Sequence, residues 1–258
     1  MTEVKLALWQ RAPVEPSREG FLEALDKAMA RTRADVLITP ELCWPGYGDV
    51  MLSRAEAVDQ RGPFIACVRA LAVRHCKAIV LGYAEADSGR IFNSAICIGA
   101  DGAVLANYRK QTTANDYERE CFTKGGPAPV FEIKGIPIAL LICLDAEFPE
   151  LVRRASLEGA LLLIVPTALS PKWRVIPDAV IPTRACENGI FVAYCNYAGD
   201  DEAAPFCGRS LVVGPDGRTM ANALTVECLL DVTIKSDDVI KARDQLDYLG
   251  HLGHLLRS

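Results

Sequence analysis

The 258 residues carry 28 Lys and Arg against 33 Asp and Glu, a net charge of −5, and half of them are hydrophobic. That is ample material for one extended core, and it leaves no clustered basic surface of the kind a nucleic acid needs. Apolar runs such as residues 160–165 are far too short to span a membrane.

In chain order, residues 4–9 read as a strand. Residues 17–33 follow as a helix, with Phe21, Leu22, Leu25 and Met29 at helical spacing and Ser17 able to cap the start. Residues 35–39 form a second strand, 54–75 read mostly as helix, and 78–83 and 91–98 are further strands. Asp101-Gly102 marks a hairpin turn into 103–108. The run 136–143 (IPIALLIC) is apolar throughout, as expected of a strand covered on both faces. A helix over 149–158, a buried strand over 161–165 and a mainly helical stretch over 171–188, ended by Gly189, come next. Strand 190–196 precedes a β-meander of 210–213, the turn at Pro215-Asp216-Gly217, and 223–232. Residues 234–246 contain a last helix, and an arm is expected from about 247.

No linker or repeat divides the chain, so residues 1–258 are expected to form a single domain. Helix-separated strands alternate with direct hairpins, which predicts an α/β fold of mixed sheets with helices on the outer faces. Two such sheets stacked on each other would explain why so many strands are apolar on both sides.

The ten cysteines do not look like a disulfide framework. No pair is spaced as CxxC, and Cys97, Cys195 and Cys228 lie in apolar strand-like runs, where a free thiol packs as a small hydrophobe. The start, Met1-Thr-Glu-Val-Lys5, has no signal-peptide pattern, so a reduced cytoplasmic protein is expected.

Cys143 differs from the other thiols in place. It ends an apolar strand just before a helix, where backbone N–H groups face a developing negative charge and favour a thiolate. A histidine base is poorly supported, because His75 ends a helix and His251 and His254 lie in the tail. Two other residues top strand ends, where α/β folds gather their sites. Glu41 follows 35–39 and meets a Pro-Gly loop; Lys110 follows 103–108. A glutamate can take a thiol proton, and a lysine can hold an oxyanion. Trp44, Tyr47, Phe148 and Trp173 are candidates for the walls of a small-molecule pocket, with core packing as the alternative for each.

These residues resemble the nitrilase superfamily, or carbon-nitrogen hydrolases. Three blocks carry the resemblance: Leu37-Ile-Thr-Pro-Glu41-Leu with Pro45-Gly-Tyr47; Tyr108-Arg-Lys110; and Leu141-Ile-Cys143-Leu-Asp145 with Glu147-Phe-Pro-Glu150. Each matches one corner of that family's Glu–Lys–Cys triad. Phe122-Thr-Lys-Gly125, Pro166-Thr-Ala168, Arg184-Ala-Cys-Glu187-Asn188-Gly189 and Gly208-Arg209-Ser210 extend the match over residues 5–235. The family's second glutamate falls on Glu118.

The resemblance implies a four-layer αββα sandwich, no metal or organic cofactor, and a homodimer or larger homo-oligomer. It implies Cys143 as nucleophile, Glu41 as base, and Lys110 with the Leu144 backbone N–H as oxyanion hole. Glu118 would orient Lys110 or the substrate amide. Gln111-Thr112 stands where Thr-His is usual, and Leu144 where Tyr is common, which alters the pocket beside the nucleophile. The expected activity is that of an amidase on a small carboxamide, without nucleic-acid or membrane partners. Alternatives are an N-carbamoyl-amide hydrolase or nitrilase of the same superfamily, a catalytically silent nitrilase-fold binding protein, and an unrelated α/β protein with a merely buried Cys143.

Overall fold

The computed structural model describes residues 2–13, 17–127, 129–199 and 206–255. In chain order these form β1 (Glu3–Gln10), α1 (Arg18–Arg31), β2 (Val36–Ile38), α2 (Val50–Glu56), α3 (Pro63–His75), β3 (Ala78–Asp87), β4 (Arg90–Ile98) and β5 (Val104–Arg109). Then come α4 (Asp116–Cys121), β6 (Phe131–Ile133), β7 (Ile136–Leu140), a short 3₁₀ turn (Cys143–Glu147), α5 (Pro149–Leu157) and β8 (Leu162–Pro166). A 3₁₀ turn (Pro171–Trp173) and a π turn (Ile176–Val180) lead into α6 (Ile181–Asn188). The chain continues through β9 (Phe191–Cys195), β10 (Leu211–Val213), β11 (Thr219–Asn222), β12 (Cys228–Lys235), α7 (Ser236–Gln245) and α8 (Tyr248–Leu255).

The strands make two six-stranded sheets, in the orders β12-β1-β2-β3-β4-β5 and β6-β7-β8-β9-β10-β11. Both have the same plan: two parallel pairings in the middle (β1-β2-β3 and β7-β8-β9) and antiparallel pairings outside them. The period-2 alternation of side chains sets the layers. Val4, Leu6, Leu8, Val36, Ile38 and Val80 of the first sheet face the second sheet's core. The intervening Ala7, Leu37, Ile79, Leu81 and Ile96 pack on Phe21, Leu25 and Met29 of α1 and on Phe64, Ile65 and Val68 of α3. Val152 and Ala155 of α5 and Ile181 and Ala185 of α6 join the core of the second sheet. The result is the αββα sandwich of the nitrilase fold, and each fully buried Leu or Ile on it contributes about 2 kcal/mol relative to exposure.

The expected elements differ from the observed ones where proline, glycine or a crossover intervenes. The single helix expected over 54–75 is two, because Pro63 fits the first turn of a helix but not its interior. The expected meander is split: β10 and β11 pair in the second sheet, whereas β12 crosses over and pairs antiparallel with β1. The charged stretch around Glu118 is a helix, α4, capped by the Asn115 side chain. The strand expected to reach Cys143 ends at Leu140. The expected C-terminal arm contains a helix, α8, that contacts α6.

The chain leaving β2 passes so close to β3 that only glycine fits beneath it. Gly82 N–H donates to Thr39 Oγ1 (3.0 Å), Trp44 N–H donates to the Gly82 carbonyl (3.1 Å), and a Cβ on Gly82 would lie 2.2 Å from the Pro40 carbonyl oxygen. Gly82→Ala is therefore expected to push the 39–42 segment outward. The expected destabilisation is about 1–3 kcal/mol, read as a lower urea midpoint at unchanged m-value.

Candidate active site

Glu41 is carried by the segment that Gly82 lets through, and its N–H donates to the Thr167 carbonyl across the sheet interface (3.3 Å). Lys110 follows β5 directly. Its N–H donates to the Asn93 carbonyl and its own carbonyl accepts from Gly125 N–H, both at 2.8 Å. Arg109, on the opposite face of β5, is clamped to the buried Glu85 by Nη2–Oε1 (2.6 Å) and Nε–Oε2 (2.9 Å) contacts. The strand end that presents Lys110 is thus held from both sides.

Lys110 is 2 % exposed and lies between two carboxylates that are equally buried, Glu41 at 0 % and Glu118 at 1 %. Its Nζ donates to Glu41 Oε1 at 2.7 Å and to Glu118 Oε1 and Oε2 at 2.8 and 2.9 Å, which uses all three ammonium hydrogens. Glu118 also accepts from Tyr47 OH (2.7 Å) and Ala114 N–H (3.1 Å), and Asn115 Nδ2 donates to Tyr47 OH (2.8 Å). Glu41 Oε1 takes a second donor, Asn93 Nδ2 at 2.7 Å, while the buried Oε2 has no hydrogen-bond partner among the described residues.

Cys143 opens the short 3₁₀ turn with φ of 47°, a left-handed conformation that costs energy for a side chain with a Cβ. Leu144 N–H lies in the first turn, where N–H groups have no intrahelical acceptor. The turn is fastened by Asp145, whose carboxylate accepts from Tyr108 OH (2.6 Å), Thr112 Oγ1 (2.7 Å), Thr112 N–H (3.0 Å) and Gln111 N–H (3.3 Å). One buried carboxylate thereby ties the Cys143 turn to the residues flanking Lys110.

Burial, and then the Glu41 carboxylate, push the Cys143 thiol well up; Lys110 and Thr167 oppose this without reversing it. The resting group is a thiol. Burial likewise raises Glu41, against the pull of Lys110, to about 7, where a base is poised to exchange protons at neutral pH. Burial alone would lower Lys110, but the negative charges of Glu41 and Glu118 hold it well above its ordinary value, so it stays an ammonium. Burial keeps Tyr47 protonated as a donor to Glu118.

Glu41, Lys110 and Glu118 are brought into direct contact, and their charges act on Cys143. Tyr47 sits beside Glu118, with its ring edge-on to Tyr117 (5.1 Å) and Phe206 (6.1 Å). Trp44 is not a wall of this site: its ring lies 4.8 Å from Phe64 and 5.5 Å from Phe21, inside the layer under α1 and α3. Phe148 and Trp173 are surface residues, 44 % and 51 % exposed. His75 is bonded to Asp26 and His251 is exposed on α8, while the His254 side chain lies outside the described residues. Four residues that sequence reasoning did not assign to the site join it: Asn93, Asn115, Asp145 and Thr167. Asn93 carried one usable signal, a lone amide in an apolar strand.

The chain belongs to the carbon-nitrogen hydrolase family of the nitrilase superfamily, whose pattern matches residues 5–244. A protein of Pseudomonas protegens named "Hydrolase in pqqF 5'region" is 38 % identical over 90 % of this chain and 82 % of its own. An (R)-stereoselective amidase of a Pseudomonas species is 31 % identical over 83 % of this chain and 78 % of its own. Among solved structures, an amidase from a Nesterenkonia species superposes with a TM-score of 0.85 at 32 % identity, covering 95 % of both chains. A mutant of that amidase in complex with butyramide gives 0.84 at 31 %, covering 95 % of this chain and 96 % of its own. Among the described residues, no helix is long and apolar enough to cross a membrane.

Asp145→Asn keeps the volume but sets an NH₂ group against donors. It is expected to cost about 2–3 kcal/mol, against about 1 kcal/mol for Tyr108→Phe, both measured by urea unfolding.

Proposed function

We propose that the protein is an amidase that converts a small carboxamide to the carboxylate and ammonia through a thioester on Cys143. The observation that carries this reading is the dry Glu41–Lys110–Glu118 cluster acting on the Cys143 thiol, with one carboxylate oxygen of Glu41 left unpaired. The amidases among its relatives and structural neighbours support the substrate class.

In the reaction, Glu41 takes the thiol proton as sulfur bonds to the carbonyl carbon. The oxyanion accepts from Leu144 N–H and from Lys110, which exchanges one of its two contacts with Glu118 for the new charge. Collapse breaks the C–N bond, and Glu41 passes its proton to the departing NH₂ group, which leaves as ammonia. Water then attacks the thioester while Glu41 accepts one of its protons, that proton returns to the sulfur as the C–S bond breaks, and the carboxylic acid departs and ionises, its proton going to ammonia. Free thiols at all ten cysteines fit a reducing, cytoplasmic setting for this chemistry. The family resemblance supports a homodimer or larger assembly, which sedimentation would report.

The test is ammonia release from amides running from acetamide to butyramide, with N-carbamoyl compounds and nitriles alongside. Cys143→Ala is expected to abolish release, and Lys110→Met to lower kcat by roughly 10²–10³. Release from nitriles or carbamoyl compounds alone would overturn the substrate class, and release that survives Cys143→Ala would overturn the mechanism. Because Glu41 must be unprotonated to act, kcat/KM is expected to fall about tenfold per pH unit below about pH 7 and to level off above it. A flat profile down to pH 5 would remove Glu41 as the base.

A further inference from the structure

We propose that Asn93 is a positioning residue for the base: its amide locks the Glu41 carboxylate so that Oε2, and not Oε1, is presented to the Cys143 thiol. The inference rests on Glu41 acting as the base.

Two donors, Asn93 Nδ2 and Lys110 Nζ, converge on Glu41 Oε1 at 2.7 Å each, and among the described residues none reaches Oε2. Two donors already occupy the lone pairs of Oε1, so Oε2 is the oxygen whose lone pairs are free to take a proton. Lys110 alone would not fix this choice. It holds Glu41 by one contact while two go to Glu118, and a carboxylate held at one point can turn about its last bond and exchange its oxygens. The second donor removes that freedom.

Asn93 is placed for this role. It is 2 % exposed, on β4 two residues before Ala95 and four before Cys97, which face the core between the sheets. Its carbonyl receives Lys110 N–H, so one residue sets both the base and the lysine. Its side-chain orientation follows from charge, since Oδ1 turned toward the carboxylate would be repelled. That orientation leaves Oδ1 buried and unpaired, a cost in stability that a side chain present only for packing would not carry.

The experiment is alkylation of Cys143 by chloroacetamide as a function of pH, followed by peptide mass in the wild type and in Asn93→Ala, Asn93→Ser and Asn93→Asp. The exposed Cys67 and Cys76 serve as internal references. Loss of the donor is expected to move the Cys143 profile upward by roughly one pH unit and to slow its alkylation at neutral pH about tenfold. The Cys67 and Cys76 rates should stay unchanged. Asn93→Asp keeps the size but replaces a donor by a second negative charge, so it should be slower than Asn93→Ala, the reverse of what volume alone predicts. Asn93→Ser covers the case in which the aspartate variant does not fold. Profiles that coincide with the wild type, or an aspartate variant faster than the alanine one, would overturn the proposal. Ammonia release tests the amidase reading separately: shifted alkylation without release from any amide would sink that reading and leave the role of Asn93 standing.

Discussion

A buried ammonium between two buried carboxylates is the interaction on which the rest of this site depends. Taking an isolated charge out of water costs several kcal/mol, and here three lie together with almost no exposure. The cluster is tolerable because nearly every donor and acceptor is matched: three Lys110 hydrogens on two carboxylates, Tyr47 and Ala114 on Glu118, Asn93 on Glu41. Such a network is strong when complete and costly when one member is missing. The unmatched atoms of the cluster, among the described residues, are Glu41 Oε2 and Asn93 Oδ1.

The same dryness explains the division of labour. A buried thiol beside two carboxylates does not ionise by itself, and the single lysine does not offset them. In the proposed reaction the nucleophile must be made at the moment of attack, which needs a base whose proton affinity is itself raised. Burial raises Glu41 too, while Lys110 and Asn93 stop it from rising so far that it would be protonated at neutral pH. Glu118 accepts two hydrogen bonds from Lys110, and its charge helps keep Lys110 an ammonium. Two glutamates a few ångströms apart are thus given different roles by their partners alone.

The corners of this arrangement were legible in the sequence, and its framework was not. Glu41, Lys110 and Cys143 follow short apolar runs bounded by turn residues, which read as buried strands. The layered sheets followed from the mixture of hairpins and helical crossovers. Glu118 was less visible, because it shares α4 with Asp116, Arg119 and Glu120, and only the tertiary fold turns Glu118 inward while Asp116 stays in solvent. Asp145 and Asn93 make contacts to chain segments 37 and 52 residues away, which no local pattern reports. Trp44 reads equally well as a pocket wall or as core, and it is core because the chain after Glu41 turns back over β3 and directs the indole toward α1 and α3. The crossing of β12 to the first sheet was hidden for a related reason: a strand's partner is chosen by the fold, and only its faces by its sequence.

The shared plan of the two sheets accounts for where the site lies. Each sheet has a parallel centre whose strand ends open on one edge, and stacking brings those edges together. Glu41 follows the central β2 of one sheet and Thr167 the corresponding β8 of the other, and they meet through Glu41 N–H and the Thr167 carbonyl. Lys110 comes from the edge strand of the first sheet, Cys143 follows β7 of the second, and Asp145 joins them through Tyr108 and Thr112. Neither sheet alone supplies Glu41, Lys110 and Cys143. The site is a property of the interface between the sheets, because Glu41 and Lys110 follow strands of one and Cys143 follows a strand of the other.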